Sequence, residues 1–232
     1  MPTSTFRALG ACMLDDSAPT NNLRGSWGCG YALGKGGASV RQRECVAFNL
    51  LGPAYAGAPL TPADVVKTAT LRTVLNAMNG AAGNIYRVRR IAQPGFSYAA
   101  ATWNTYDGAH AWTAPGGDMD AAGEASFAQP ATLGTLSVAG LDALAQDAID
   151  NRAGLLYVII FAASEALPYH AINGNTNSEA GDFYLDVTLG STPEPSDIDR
   201  RDPATLRGSR PRGAVAPSRS ARPASAARPH RS

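Results

Sequence analysis

Short runs of β-branched or alternating residues recur between turn-rich stretches, and this recurrence restricts the fold more than any other feature. The clearest runs cover residues 43–50, 66–75, 84–91, 155–161 and 182–189, with weaker ones at 5–13, 28–33 and 133–138. Apolar and polar residues alternate in several of them, so one side of each strand should face a core and the other solvent. Evenly spread short strands of this kind predict an all-β sandwich or barrel.

One segment has a helical period instead. Leu141, Leu144, Ala148 and Ile149 are spaced to share one face, which predicts a short amphipathic helix. The chain should then turn into 155–161, the most apolar run, which we place at the centre of a sheet. No apolar run approaches the roughly 18 residues that a membrane-spanning helix needs, so we expect no membrane partner.

Charge divides the chain into a body and a tail. Residues 191–232 contain nine arginines and four acidic residues, whereas residues 1–190 contain more acidic than basic side chains. From residue 205 onward there are seven arginines and no acidic residue: Arg207, Arg210, Arg212, Arg219, Arg222, Arg228 and Arg231. This composition predicts a flexible tail, which either solubilises the protein or forms an arm that contacts neighbouring subunits or, without sequence preference, nucleic acid.

The three cysteines, Cys12, Cys29 and Cys45, form no CxxC pair and have no metal-ligand spacing. They are either buried free thiols or a single disulfide with one thiol left over. The first residues lack the basic and apolar regions of a secretory signal. Together these features predict synthesis in a reducing cytoplasm.

Several short motifs follow one another along the chain in a fixed order. The motifs are Phe48-Asn49-Leu50, Ala69-Thr70-Leu71, Tyr86-Arg87-Val88, Thr102-Trp103-Asn104, and Trp112 followed by Gly116-Gly117-Asp118. Their order resembles that of the DNRLRE family over about residues 5–190. The resemblance implies a jelly-roll β-sandwich similar to carbohydrate-binding modules, an adhesive or structural unit of phage virions and microbial surface proteins. We therefore expect such a sandwich with one short helix at 1–190 and a disordered basic tail at 191–232.

A glycine-rich loop contains the candidate glycan-binding residues Trp103, Asn104, Tyr106, His110 and Trp112. An aromatic face can stack on a sugar ring while neighbouring polar groups bind its hydroxyls. The alternative is that the two tryptophans anchor this long loop to the sandwich by packing. Trp27 is a separate candidate of the same kind.

Asp118 and Asp120 follow two glycines and could supply part of a calcium shell, although calcium takes six to eight oxygen ligands. The alternative is that they are turn carboxylates that bind loop amides. We expect no other cofactor. Arg87 and Arg89 should project from the same face of a strand, either as a solvated edge or as a contact for an anionic glycan.

Catalytic motifs are missing from the sequence. The three histidines are far apart, and neither HExxH nor GxSxG is present. The sequence therefore predicts a non-enzymatic structural or adhesion protein of a virion, associated with the capsid or tail, that binds other virion subunits or itself and also a surface polysaccharide. The alternatives are a stand-alone carbohydrate-binding module, outside the cell or on its surface, and a polysaccharide-degrading enzyme that uses Asp118 and Asp120 as an acid and base pair.

Overall fold

Antiparallel strands form two sheets in the computed structural model, which describes residues 2–24, 28–33, 39–79, 82–165, 170–174 and 183–190. With strands numbered in chain order, the first sheet consists of β1 (Thr3–Arg7), β12 (Tyr184–Leu189), β6 (Val66–Asn79) and β9 (Gly134–Ala139). The second consists of β3 (Leu23–Arg24), β2 (Gly10–Asp15), β5 (Ser39–Asn49), β10 (Leu155–Ala162), β7 (Ile85–Ile91) and β8 (Met119–Ala128). The strands β4 (Gly28–Leu33) and β11 (His170–Gly174) pair with each other and connect β5 to β6.

The main core lies between the two sheets and follows directly from the alternation in the sequence. Val46 and Phe48 of β5 point inward from one sheet, and Leu71 of β6 and Leu185 of β12 point inward from the other. These side chains are at most 1% exposed. Since a fully buried side chain of this size contributes about 1.5–3 kcal/mol, the facing rows fix both strand register and sheet stacking.

The helix α1 (Asp142–Asn151) lies against this core and buries Leu144, Ala145, Ala148 and Ile149. The side chain of Gln146 accepts a hydrogen bond from the main-chain amide of Val66 at 2.7 Å, which ties the helix to the start of β6. No helix in the described part of the chain is long and apolar enough to cross a membrane.

A second core covers the outer face of the second sheet. Cys12, Cys45 and Ile159 point outward from β2, β5 and β10, and they pack against residues of the long connection 92–118 between β7 and β8. Phe96, Ala101, Trp103 and Trp112 are the buried apolar side chains that this connection contributes to the second core. The connection therefore forms a third layer over the sandwich.

The expected all-β sandwich with one short helix is confirmed. Some details differ from the sequence-based expectation. The run at 5–13 is two strands, β1 and β2, which belong to different sheets. The strands β3, β8 and β11 were not predicted. The sequence of β8 is rich in Ala, which is not typical of strands, and Asp120 lies in this strand rather than in a turn. The tail 191–232 with its arginines lies outside the described residues.

Candidate functional site

The two tryptophans of the predicted glycan-binding loop are buried. Trp103 and Trp112 are each 4% exposed. The indole of Trp112 donates a hydrogen bond to the carbonyl of Thr102 at 2.9 Å, and its ring contacts the rings of Phe96 and Tyr106. These contacts hold the connection 92–118 together, and both tryptophans belong to the core that packs it against the outer face of the second sheet.

Trp103 lies beneath two arginines. The guanidinium carbons of Arg41 and Arg43 are 4.9 and 5.0 Å from its ring centre, within the range of cation–π attraction. Arg43 also binds both carboxylate oxygens of Glu165, at 2.6 and 2.7 Å, and the carbonyl of Gly116 at 2.7 Å. Little of the Trp103 ring surface is therefore left for a ligand.

The other three candidates in this loop are more accessible. Asn104 is exposed and Tyr106 is partly exposed. The His110 side chain is 70% exposed, stacks on Tyr106 with ring centres 5.8 Å apart, and binds Asp107 through Nδ1 at 2.7 Å. Hydrogen bonds from the main-chain amide and the ring of His110 lower the pKa of Asp107 to about 2. Glycan binding by this loop stays a prediction, now with a tyrosine and a histidine as its accessible rings.

The carboxylates of Asp118 and Asp120 are already hydrogen-bonded. Asp118 accepts from the main-chain amides of Thr113 and Ala114 at 3.0 and 3.1 Å, and Asp120 accepts from the amide of Ala122 at 2.9 Å and from Arg90. Among the residues that the structure describes, no group of three or more His, Cys, Asp or Glu side chains is placed to hold a metal ion. Calcium binding by these two aspartates stays a prediction.

The paired arginines of β7 share one acidic partner. Arg87 and Arg89 both bind Glu124 of the neighbouring strand β8, and the guanidinium carbon of Arg89 lies 5.4 Å from the ring centre of Phe161. Glu124 thus compensates part of their positive charge. Trp27 and the seven tail arginines lie outside the described residues.

The outer face of the first sheet presents a regular array of exposed or partly exposed side chains, most of which are polar. They are Thr3, Thr5 and Arg7 of β1; Tyr184, Asp186 and Thr188 of β12; Thr68, Thr70, Arg72 and Val74 of β6; and Thr135, Ser137 and Ala139 of β9. The strand register aligns them in rows across the sheet, one of which runs through Arg7, Tyr184, Arg72 and Ser137. Four strands at about 4.8 Å spacing make each row roughly 15 Å long.

One cluster on this face combines two aromatic rings with charged groups. We call it the tyrosine platform, and it consists of Tyr55, Tyr184, Arg72, Asp186 and Arg7. The rings of Tyr55 and Tyr184 lie 5.3 Å apart at an angle of 59°, and Tyr55 is 65% exposed. The guanidinium carbon of Arg72 lies 5.6 Å from the ring centre of Tyr184. An exposed ring beside charged hydrogen-bonding groups can contact both the apolar and the polar parts of a ligand.

Hydrogen bonds fix the geometry of the tyrosine platform. The main-chain amide of Tyr55 donates to the carbonyl of Thr5 at 2.8 Å, so the loop that carries Tyr55 is attached to the edge of β1. Asp186 accepts from the hydroxyl of Thr5 at 2.7 Å and from two nitrogens of Arg72, one at 3.0 Å. The hydrogen bond from Arg72 lowers the pKa of Asp186, and the same bond raises the pKa of Arg72. Both side chains are therefore charged at neutral pH.

A small cavity lies at the rim of the third layer. Its volume is about 150 Å³, and it is lined by Ile91, Pro94, Asn151, Arg152, Leu155 and Tyr157. Burial and the neighbouring Tyr98 raise the pKa of the Tyr157 hydroxyl. Because pockets for small molecules usually measure roughly 300–1,000 Å³, this cavity is too small for an oligosaccharide.

The tyrosine platform was not identified from the sequence. Alternation in 66–75 and 182–189 does indicate that Arg72, Tyr184 and Asp186 share a solvent side of their strands. Tyr55 gives no such signal, because it lies in a loop whose position depends on pairing with β1. The neighbourhood of β12 and β6, more than 100 residues apart in the chain, also exists only in the folded protein.

No protein-family model matches this sequence, and no curated protein is similar to it. The class of the protein is therefore defined by its fold and surface. It is an all-β sandwich with a capped outer face on one sheet and an open, polar outer face on the other.

Proposed function

We propose that this chain is a non-enzymatic adhesion or structural protein that binds a surface polysaccharide through the tyrosine platform. The observation that carries the proposal is the exposed pair of tyrosine rings beside the Arg72–Asp186 ion pair. Sugar rings have apolar C–H faces and hydroxyl edges, which an aromatic ring and charged hydrogen-bonding groups contact respectively. The expected partner is thus a carbohydrate chain.

The shape of the site favours an extended polymer over a single sugar. The tyrosine platform lies on an open sheet face, where the rows of side chains are roughly 15 Å long. Threonine hydroxyls at Thr5, Thr70 and Thr188 surround it and can both donate and accept hydrogen bonds. A chain laid across the strands would contact Tyr55, Tyr184 and Arg72 in turn.

The lowered pKa values of Asp118 and Asp120 argue against these two residues as the acid and base pair of a glycosidase. Burial raises the pKa of Asp118, but hydrogen bonds from Thr113, Gln93 and Ala114 outweigh it, and the amide of Ala122 lowers the pKa of Asp120. Hydrolysis of a glycosidic bond needs one carboxylic acid whose pKa is raised so that it remains protonated. Neither member of this pair has that property.

A glycan array followed by titration of the best polysaccharide tests the proposal. Tyr55→Ala and Tyr184→Ala should each weaken binding by about tenfold or more, which corresponds to roughly 1.4 kcal/mol of lost ring contact. Tyr106→Ala is the matched control, because it removes a partly exposed tyrosine from the connection 92–118. If Tyr106→Ala alone loses binding, the glycan site lies in the predicted loop and not on the tyrosine platform. A folded wild-type protein that binds no polysaccharide would refute glycan binding at both places.

A second candidate function is association with a virion through the tail. The observation that favours it is the run of seven arginines without an acidic residue over 205–232. Such a segment can bind phosphates or acidic surfaces in a salt-dependent manner. The resemblance to DNRLRE modules, which occur in phage proteins, is in keeping with this role.

Removal of residues 205–232 tests this second function in the native host. The full-length protein should sediment with assembled particles, and the shortened protein should not. Equal sedimentation of both forms, or of neither, would argue against the tail as an attachment segment. A fall in particle binding with rising salt would indicate that the arginines contact charged groups.

A further inference from the structure

Two of the three cysteines lie directly opposite each other in the second sheet. Cys12 of β2 is the register partner of Cys45 of β5 in an antiparallel pair. Both are free thiols, both are 0% exposed, and both point to the outer face beneath the connection 92–118.

This arrangement meets the requirement of a disulfide for the distance between the two Cα atoms. Residues directly opposite in antiparallel strands have Cα atoms about 4.5–5.5 Å apart, and disulfides usually span about 4.4–6.8 Å between Cα atoms. The bond could therefore form without separating the strands. The third cysteine, Cys29 of β4, is opposite Ile172 of β11, so its register partner is not a cysteine.

We propose that Cys12 and Cys45 form a cross-strand disulfide when the protein folds or opens in an oxidising environment. A low-molecular-weight disulfide such as oxidised glutathione is the oxidant. One cysteine thiolate attacks it, releases one glutathione thiolate, and becomes a mixed disulfide. The second cysteine thiolate then displaces the other glutathione thiolate. Each cysteine loses one proton, the two cysteines lose two electrons in total, and two molecules of reduced glutathione form.

The position of the pair determines when this reaction occurs. In the folded protein the second core shields both sulfurs, and burial, together with the Cys12 thiol, raises the pKa of Cys45 well above its ordinary value. A protonated and shielded thiol reacts slowly, so the folded protein keeps the pair reduced. Oxidation takes place before the connection 92–118 packs, or when it opens. Once formed, the disulfide links β2 to β5 beneath the third layer.

Refolding of the full chain with and without oxidised glutathione tests this assignment. The free-thiol count should fall from three to one, and peptide mapping should identify the Cys12–Cys45 link. The oxidised protein should melt roughly 5–15 °C higher than the reduced one, because the link restricts the unfolded chain.

Variants distinguish this pair from the other combinations. Cys29→Ala is the matched control and should still lose both remaining thiols on oxidation, whereas Cys45→Ala should keep both of its thiols. A link that includes Cys29, or three free thiols after oxidative refolding of the wild-type protein, would overturn the proposal. If Cys45→Ala does not fold, peptide mapping of the oxidised wild-type protein still identifies which two cysteines are linked.

Discussion

The connection 92–118 and the tyrosine platform are both rich in aromatic residues, but they use them in opposite ways. In the connection, Trp103 and Trp112 are 4% exposed and pack against the second sheet. On the platform, Tyr55 is 65% exposed and touches only the partly exposed ring of Tyr184 among the aromatic contacts described.

The difference has a simple physical cause. A long connection with little regular structure must bury large side chains to keep one shape, because its backbone ordering is entropically costly. The first sheet already buries its inner face through residues such as Leu71 and Leu185, so its outer face needs no aromatic residue for stability. An exposed aromatic side chain beside a stable sheet is therefore a stronger indication of binding than a buried tryptophan in a long connection.

Removal of a buried tryptophan from the connection 92–118 should lower the stability of the protein the most. Trp112→Ala should lower the free energy of unfolding by about 3–5 kcal/mol, because it empties a buried site and breaks the hydrogen bond to Thr102. Urea unfolding measures the loss. Tyr55→Ala is the matched variant on the platform and should cost less than about 1 kcal/mol. Similar losses of unfolding free energy in the two variants would show that the platform tyrosine stabilises the fold as much as the buried tryptophan does.

A buried arginine should matter more than an exposed one. Arg43→Ala leaves Glu165 and the carbonyl of Gly116 without their partner and uncovers Trp103, at a cost of about 2–4 kcal/mol. Arg72→Ala removes a solvent-screened ion pair and should cost less than about 1 kcal/mol. Thermal unfolding of the two variants measures the difference. Equal melting temperatures would show that Arg43 does not stabilise the third layer.

A smaller effect is expected where the third layer meets β2. A Cβ at Gly10 would lie 2.1 Å from Cε2 of Tyr98, so this side chain must move away from the sheet. Gly10→Ala should therefore lower stability by about 1–3 kcal/mol and leave the tyrosine platform unchanged. Hydrogen exchange should increase in the connection 92–118 but not in β12 or β6. Uniform exchange across the protein would contradict a local effect.

The smallest effect is a pH dependence at the tip of the loop. The pKa of Asp107 is about 2, below the roughly 3.9 of an unfolded aspartate. Its stabilising hydrogen bonds are therefore complete above about pH 4 and are lost as the pH falls toward 2. Titration of the carboxyl carbon by NMR measures this pKa directly. A midpoint near 4 would show that His110 does not fix the carboxylate in solution.

Much of the fold could be predicted from local pattern, and little of the candidate site could. The helix over Leu141 to Ile149 and most of the strands follow from their periods. The strand β8 was not predicted, because its many alanines are not typical of a strand. Its pairing with β7 keeps it extended. The proposed site could not be predicted from the sequence. Tyr55 and Arg72 come close together because the loop of Tyr55 pairs with β1 and the strand of Arg72 pairs with β12.

Local sequence pattern is enough to define the class of this protein, since its strand periods and one helical period specify an all-β sandwich with a short helix. It also determined that the last 28 residues are positively charged. Which aromatic residues are buried and which are exposed becomes clear only in the folded protein. The burial of these residues depends on which outer face the connection 92–118 covers. Contacts between residues far apart in the chain determine this, and a local sequence pattern does not contain them.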